Sequence, residues 1–294
     1  MRDAAVQGLA VGFFDGVHRG HQAILAGADC ALTFRNHPLT VLAPERAPRL
    51  IMSLDDRLAA IRACGVKDVV ARDFTPELAA LPPEAFAARY LGASAGHPHI
   101  RCGANWHFGK GGAGDADWLR AHGYAVTTVP YATYDGAPIS SSRIRAALAA
   151  GEIAATNAML GHPFRVHGEP QKGKGLGTKL GFPTVNLRLT GLEIDLPRGV
   201  YEVAVAGVRG VANYGLAPTL GDRRWPTPVL EIHFLHCAAA TVPTAPYAVD
   251  FVRFIRRERT FASLDALKRQ ISSDCASLDE SAAGLQHETM IRPL

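Results

Sequence analysis

Gly8-Leu9-Ala10-Val11-Gly12-Phe13-Phe14-Asp15-Gly16-Val17-His18-Arg19-Gly20-His21-Gln22 is the stretch on which the fold turns. The apolar run Gly8 to Phe14 reads as a buried strand ending in a Gly-containing turn, and the residues after the turn open a helix. A helix N-terminus presents free backbone N–H groups and a positive dipole end, which suits phosphate. His18 and His21 stand one helical turn apart, so both imidazoles can face that phosphate. Gly20 carries no Cβ, which lets an adenine ring or a phosphate chain approach the backbone.

Outward from this stretch, short apolar runs alternate with amphipathic segments. Cys30 to Phe34, Lys67 to Ala71, His99 to Cys102 and Tyr124 to Val129 read as strands. Leu54 to Cys64 (stopping at Gly65), Pro83 to Leu91 and Ala116 to Ala121 read as helices. Such alternation predicts a parallel sheet covered on both faces. Two short helices follow, Ser142 to Ala150 and Glu152 to Leu160, ending at Gly151 and Gly161. From Phe164 the texture becomes strand-like with Gly and Pro punctuation: Val200 to Val205, Val208 to Val211, Val229 to Phe234 and Val249 to Ile255. This predicts a small β-barrel or sandwich. A last helix, Leu264 to Ile271, starts after the N-cap candidate Ser263, and weak order is expected after Leu278. The domains are therefore placed at residues 1–161 and 162–294.

Composition narrows the function classes. The 294 residues are 48% hydrophobic and 20% charged, with a net charge of +4 spread along the chain. That is globular composition without the basic stripe of a nucleic-acid binder. Cys30, Cys64, Cys102, Cys237 and Cys275 are scattered, which points to buried thiols in a reducing compartment. No stretch reads as a signal peptide or as a bilayer span, so a soluble cytoplasmic protein is expected, with no membrane partner.

Further motifs carry chemistry. In Ile139-Ser140-Ser141-Ser142-Arg143-Ile144-Arg145, the hydroxyls of Ser141 and Ser142 meet free N–H groups at a helix start, and Arg143 and Arg145 add fixed positive charge. Together they suit ATP phosphates and a leaving pyrophosphate. Lys172-Gly173-Lys174-Gly175-Leu176-Gly177-Thr178-Lys179-Leu180-Gly181 is a Gly-rich basic loop without Walker spacing whose N–H groups can wrap an anion. Gly181-Phe182-Pro183-Thr184-Val185-Asn186-Leu187 follows it, and Thr184 and Asn186 share one face of an extended chain. In Val229-Leu230-Glu231-Ile232-His233-Phe234, alternation sends Leu230, Ile232 and Phe234 to one face and Glu231 and His233 to the other.

These motifs, in this order, resemble the bacterial bifunctional riboflavin kinase/FMN adenylyltransferase (FAD synthetase) family. The His-x-Gly-His string is similar to the nucleotidyltransferase signature. Thr33-Phe34-Arg35-Asn36-His37-Pro38 resembles the family's Thr-Phe-x-Pro-His-Pro, with Asn36 where Pro is usual. Gly103-Ala104-Asn105-Trp106-His107-Phe108-Gly109-Lys110 resembles Gly-x-Asp-Phe-x-Phe-Gly-Lys, with Asn105 at the usual Asp. Pro183-Thr184-Val185-Asn186 and Glu231-Ile232-His233 match the kinase motifs. So do Gly199-Val200-Tyr201, Asn213-Tyr214-Gly215 with Pro218-Thr219, and the run from Phe254 to Phe261. The resemblance implies a Rossmann-like nucleotidyltransferase domain followed by a riboflavin-kinase β-barrel with a terminal helix.

It also implies site roles. Phe14, Asp15, Gly16, His18, Gly20, His21, Ser141, Ser142, Arg143 and Arg145 would hold ATP for adenylyl transfer, with His18 and His21 catalytic. His37 and Asn105 would hold flavin. Gly173, Lys174, Gly175, Gly177, Thr184 and Asn186 would hold the kinase ATP. Thr184 and Asn186 would ligate Mg²⁺, and Glu231 would be the general base. Substrates would be riboflavin, FMN and ATP, with no nucleic-acid partner.

The chain departs from the family in three further places. Only Ala23 to Ala31 separates the His motif from Leu32-Thr33-Phe34, where the family has a full helix and a loop. Pro170 falls in a normally extended segment, and Ala245-Pro246-Tyr247-Ala248 keeps only the Tyr of an Asp-Leu-Tyr-Gly stretch. The rival readings are a kinase with an impaired first domain, a cytidylyltransferase, a class I aminoacyl-tRNA synthetase and a non-catalytic flavin carrier. The kinase-like second half opposes the cytidylyltransferase reading. The synthetase reading lacks its lysine loop and RNA-binding domain, and a carrier needs no base at Glu231.

Overall fold

The computed structural model describes residues 7–92, 98–172, 176–191, 194, 196–216, 228–235 and 247–288. The chain divides into two compact units, Met1–Arg145 with Ala158–His162, and Ala146–Asn157 with Pro163–Leu294.

The first unit is built on five strands: β1 Gly8–Val11, β2 Cys30–Phe34, β3 Asp68–Arg72, β4 His99–Gly103 and β5 Val126–Val129. They form one parallel sheet in the order β3-β2-β1-β4-β5. Alternation along the strands separates two apolar layers. Leu9, Val11, Cys30, Leu32, Ile100 and Cys102 face one side, over α4 (Pro76–Ala79), α5 (Pro83–Tyr90) and α6 (Ala116–Ala121), which contribute Leu78, Phe86 and Leu119. Ala10 and Ala31 face the other, where α1 (Arg19–Leu25) and α3 (Leu54–Ala63) bring Ile24, Leu25 and Ile61. The four-residue helix α2 (Leu39–Leu42) follows the His37 loop, and the two-stranded ribbon of β6 (Thr133–Tyr134) and β7 (Ala137–Pro138) precedes α7 (Ser141–Ala150). Strand order reverses direction between β1 and β4, the switch point where open α/β sheets bind ligands beyond the carboxyl ends of their strands.

The chain leaves the first unit within α7 and re-enters it within α8 (Ile153–Leu160). The second unit is a closed antiparallel barrel of six strands in the order β10-β11-β12-β9-β8-β13. These are β8 Phe164–Gln171, β9 Val185–Thr190, β10 Gly199–Val205, β11 Val208–Leu216, β12 Pro228–Phe234 and β13 Tyr247–Arg257. Leu187, Tyr201, Val203, Leu230, Ile232, Val249 and Phe251 are buried. α9 (Leu176–Leu180) precedes β9, and α10 (Leu264–Glu288) follows the barrel, its start capped by Ser263, whose Oγ accepts from Ala266 N at 3.2 Å.

Three local expectations change. The stretch from Leu176 to Leu180 is a helical turn rather than loop, and β8 runs through Pro170. α10 continues far past Ile271, to Glu288. Its apolar period breaks at Asp274, which is nonetheless buried, because its carboxylate takes Arg256 Nε at 3.0 Å and Arg256 Nη2 at 2.6 Å. A buried ion pair thus occupies a position that the periodicity reserves for an apolar residue.

Candidate active sites

The first cavity, about 550 Å³, opens beyond the carboxyl ends of β1, β4 and β5. Its floor is the turn after β1, and that turn is strained: Phe14 has φ 59°, Gly16 φ 82° and Val17 φ 39°. A β-branched residue in the left-handed region is a steric outlier that persists only where surroundings hold it, and such strain clusters at functional sites. Val17 is buried, its N–H donates to Phe14 O at 3.0 Å, and its carbonyl accepts from the Gln22 amide at 2.9 Å.

The turn delivers His18 as the N-cap of α1, where its Nδ1 accepts from His21 N at 3.3 Å. That bond leaves the proton of the neutral ring on Nε2. The two imidazoles stack 3.6 Å apart. Gly20 leaves this stack uncrowded, since a Cβ there would stand 3.2 Å from His18 Cε1. Burial lowers His18 to about 4. Burial, then the charges of His18 and Arg57, pushes His21 well below the ordinary imidazole value. His21 Nδ1 is buried and, among the described residues, has no hydrogen-bond partner.

Asp15 lines the cavity and also braces it. Its buried carboxylate accepts from Ile51 N at 3.0 Å and from Arg145 Nη2 at 2.7 Å, and its carbonyl accepts from Ser141 Oγ at 3.0 Å. Burial raises its pKa, opposed by the hydrogen bond and charge of Arg145. Asp15 therefore fixes the start of α7 and aims Arg145, whose Nε is buried and, among the described residues, without a hydrogen-bond partner. Ser141, Ser142 and Arg145 line the cavity. Arg143 does not: about 200° round the helix from Arg145, its guanidinium donates to the carbonyls of Tyr134 and Ala137, both at 2.8 Å. Gly16 also lies behind the wall, where its carbonyl accepts from His162 Nε2 at 3.1 Å.

His37 and Asn105 line the same cavity, with Trp106 and His107 beside Asn105. His37 Nδ1 accepts from Leu39 N at 3.1 Å, and its ring meets Phe13 edge-on at 4.7 Å. Burial, with Arg145 and Arg57 nearby, lowers it to about 4. Asn36, at the family's proline position, stitches this loop to the residues after β3, donating to Phe74 O at 3.0 Å and accepting from Phe74 N at 2.9 Å. Arg57 was not foreseen. It is fully buried, stacks 4.0 Å over Phe13, and donates to Phe34 O at 2.6 Å and Arg35 O at 3.1 Å. Its only trace in the sequence is an arginine on the apolar side of an amphipathic helix, a pattern that ordinarily marks a solvated face.

The second cavity, about 910 Å³, lies in the second unit between the outer face of the barrel and α10. Residues directly opposite each other in antiparallel strands point the same way. Asn186, Glu231, Asn213, Val200 and Arg256 are such a row across β9, β12, β11, β10 and β13. Glu231, Asn213, Val200 and Arg256 line the cavity; Asn186 shares Glu231's face but lies beyond the wall. Thr184 and Gly177 line it as well. Gly177 is required there, since a Cβ would stand 2.4 Å from Phe182 O. His233 donates from Nδ1 to Pro183 O at 3.0 Å, so the His of Glu-x-His holds the Pro-Thr-x-Asn loop. Gly173, Lys174 and Gly175, like Pro218, Thr219, Ala245 and Pro246, lie outside the described residues.

Among the described residues no group of three or more His, Cys, Asp or Glu side chains makes a metal cage. Thr184 and Asn186 offer neutral oxygens beside one carboxylate. Such a set suits Mg²⁺, which keeps waters and takes substrate phosphates rather than a full protein cage. No helix of the described residues is long and apolar enough to cross a membrane.

Known proteins match both units. A family model described as FAD synthetase matches residues 2–143, and one described as riboflavin kinase matches residues 160–282. The chain is 35% identical to a bifunctional riboflavin kinase/FMN adenylyltransferase of Pseudomonas fluorescens over 94% of this chain and 93% of the relative. It is 34% identical to the enzyme of that name from Escherichia coli K12, covering 90% of each. A crystal structure of a macrolide-efflux protein from Streptococcus pneumoniae superposes with a TM-score of 0.78 at 26% identity, covering 92% of this chain and 93% of that one.

Proposed function

The chain belongs to the bifunctional riboflavin kinase/FMN adenylyltransferase family, and from that premise we propose how its two cavities divide the work. Riboflavin is phosphorylated to FMN in the barrel unit, and FMN is adenylylated to FAD in the parallel-sheet unit, ATP serving both. The observation that carries the division is that each cavity is drawn from one unit alone and holds that reaction's motifs: the His18–His21 pair with Arg145 in one, Glu231 with Thr184 in the other.

In the first cavity FMN needs no base, because its phosphate is already ionised. A phosphate oxygen attacks the α-phosphorus of ATP, the α–β anhydride bond breaks, and pyrophosphate leaves. Charge grows on the phosphoryl oxygens as this happens. The Nε2–H of neutral His18, the His21 ring and the fixed guanidinium of Arg145 meet that charge, with the hydroxyls of Ser141 and Ser142 beside them. Phe14 and Gly16 shape the turn, and Gly20 admits the ring pair. His37 and Asn105 hold the flavin.

In the second cavity Glu231 accepts the proton of the riboflavin 5′-hydroxyl while that oxygen attacks the γ-phosphorus, and ADP departs. The glycines and Lys174 of the Gly173–Gly177 sequence supply the binding chemistry for the ATP phosphates. Thr184 and Asn186 would hold Mg²⁺, which would supply charge neutralisation at the phosphate oxygens. The scattered cysteines support a cytoplasmic enzyme.

The test is a pair of reactions with ATP and Mg²⁺, one started from riboflavin and one from FMN, resolved by chromatography. FAD in both supports the division. FMN as the end product of the first, with no change in the second, leaves a kinase alone.

A further inference from the structure

α1 is short for its task. It spans Arg19–Leu25, seven residues, yet it positions two histidines of the first cavity, His18 as its cap and His21 in its first turn. A helix of that length is marginal without outside support, and its last carbonyls have no partner within the helix. Its N-terminal half is held by the Gln22 amide, which donates to Val17 O at 2.9 Å and Leu160 O at 2.7 Å. The turn that ends it uses Gln22 O and Leu25 O, which accept from Ala26 N and Ala28 N. The carbonyls of Ala23 and Ile24 lie between.

Arg101 takes these two. Its Nε donates to Ile24 O at 3.0 Å and its Nη2 to Ala23 O at 3.1 Å. Arg101 stands in the middle of β4, which pairs with β1 on one side and β5 on the other. Interior strands of parallel sheets are ordinarily apolar throughout, so a half-buried arginine there asks for a reason. A fork of donors on the final carbonyls, with positive charge at the negative end of the dipole, is what so short a helix needs.

The same contact joins two walls of the cavity. α1 brings His21 and Ile24 to it, and the chain leaving β4 brings Gly103 and Asn105. We propose that Arg101 is a positioning residue for adenylyl transfer, its guanidinium satisfying the last carbonyls of α1 and holding the histidine wall in register with the Gly103–Asn105 wall. The proposal rests on the reading of this cavity as the adenylylation site.

The full-length protein tests it through Arg101→Met, which keeps the aliphatic stem, and Arg101→Lys, which can serve one carbonyl. Three quantities are read: kcat and KM for FMN adenylylation, riboflavin phosphorylation by the same sample, and amide exchange across α1. In Arg101→Met the adenylylation kcat should fall about tenfold or more, as slight misplacement of reacting groups does. KM for both substrates should change less, exchange at α1 should quicken, and phosphorylation should be unchanged. Arg101→Lys should recover part of kcat. An unchanged kcat, or a loss matched by faster exchange over the whole sheet and no recovery with lysine, overturns the proposal. Failure of the wild type to make FAD from FMN would instead overturn the reading of the cavity, and exchange at α1 would still decide whether Arg101 caps the helix.

Discussion

A carboxylate beside a triphosphate is repulsive unless a neighbour takes up its charge. Asp15 meets that condition through Arg145, 2.7 Å away, and in doing so fixes the one guanidinium of the Ser-Ser-Ser-Arg-Ile-Arg stretch that reaches the cavity. Asp15→Asn keeps the size and an acceptor for Ile51 N but releases Arg145. FMN adenylylation should drop about tenfold or more, with riboflavin phosphorylation unchanged in the same sample.

The histidines set a pH window. His18 and His37 are lowered by burial to about 4 from an ordinary 6.5, so between these values the unfolded chain binds more protons than the folded one. Stability therefore rises with pH across that interval. The thermal midpoint of the first unit should fall on acidification from about pH 7 to about pH 5, and His18→Asn should flatten the fall; calorimetry reads both.

Residue types and spacing made the His pair, Thr184 and Glu231 legible in the sequence. Direction was not legible. Arg143 and Arg145 look equivalent in one dimension, and the helix sends one to the Tyr134 and Ala137 carbonyls and the other to the cavity. Arg57 was hidden because burial of an arginine depends on carbonyls, Phe34 and Arg35, far from it in sequence.

Elements were legible where pattern and burial agree. β2 and α6 fall on the segments that alternation and amphipathicity marked, Cys30–Phe34 and Ala116–Ala121. α10 outruns its apolar pattern because long-range electrostatics decide its buried face. Asp274 pins it to β13 through Arg256, and their side chains are 4% and 13% exposed. Further along, Arg209 and Arg253 share the buried Glu202 and each donates, at 2.8 Å, to a carbonyl of α10, Leu278 O and Ser277 O. Breaking such a buried pair by deleting one partner costs about 3–5 kcal/mol. Asp274→Ala should lower the urea midpoint of the second unit accordingly. It should also raise KM for riboflavin, because α10 roofs that cavity through Leu267 and Ile271.

At the scale of the whole molecule, the two cavities share no residue, so the activities should separate cleanly. Glu231→Gln should stop FMN formation and leave FAD formation from supplied FMN intact, and His21→Ala should do the opposite. Mixing the two variants should restore FAD synthesis from riboflavin through free FMN. Loss of both activities in either folded variant would contradict two independent sites. The change of texture near residue 163 announced two architectures, because a parallel α/β layer and an antiparallel barrel bury apolar residues with different periods.

The barrel closes by pairing β8 with β13, its first strand with its last, and that bears on the protein's birth at the ribosome. A chain emerges from its N-terminus at about 5–20 residues per second. The five parallel strands are all available once Val129 is out, whereas the barrel cannot close until Arg257 has followed. Each new chain thus has every strand of its parallel sheet out before its barrel can close.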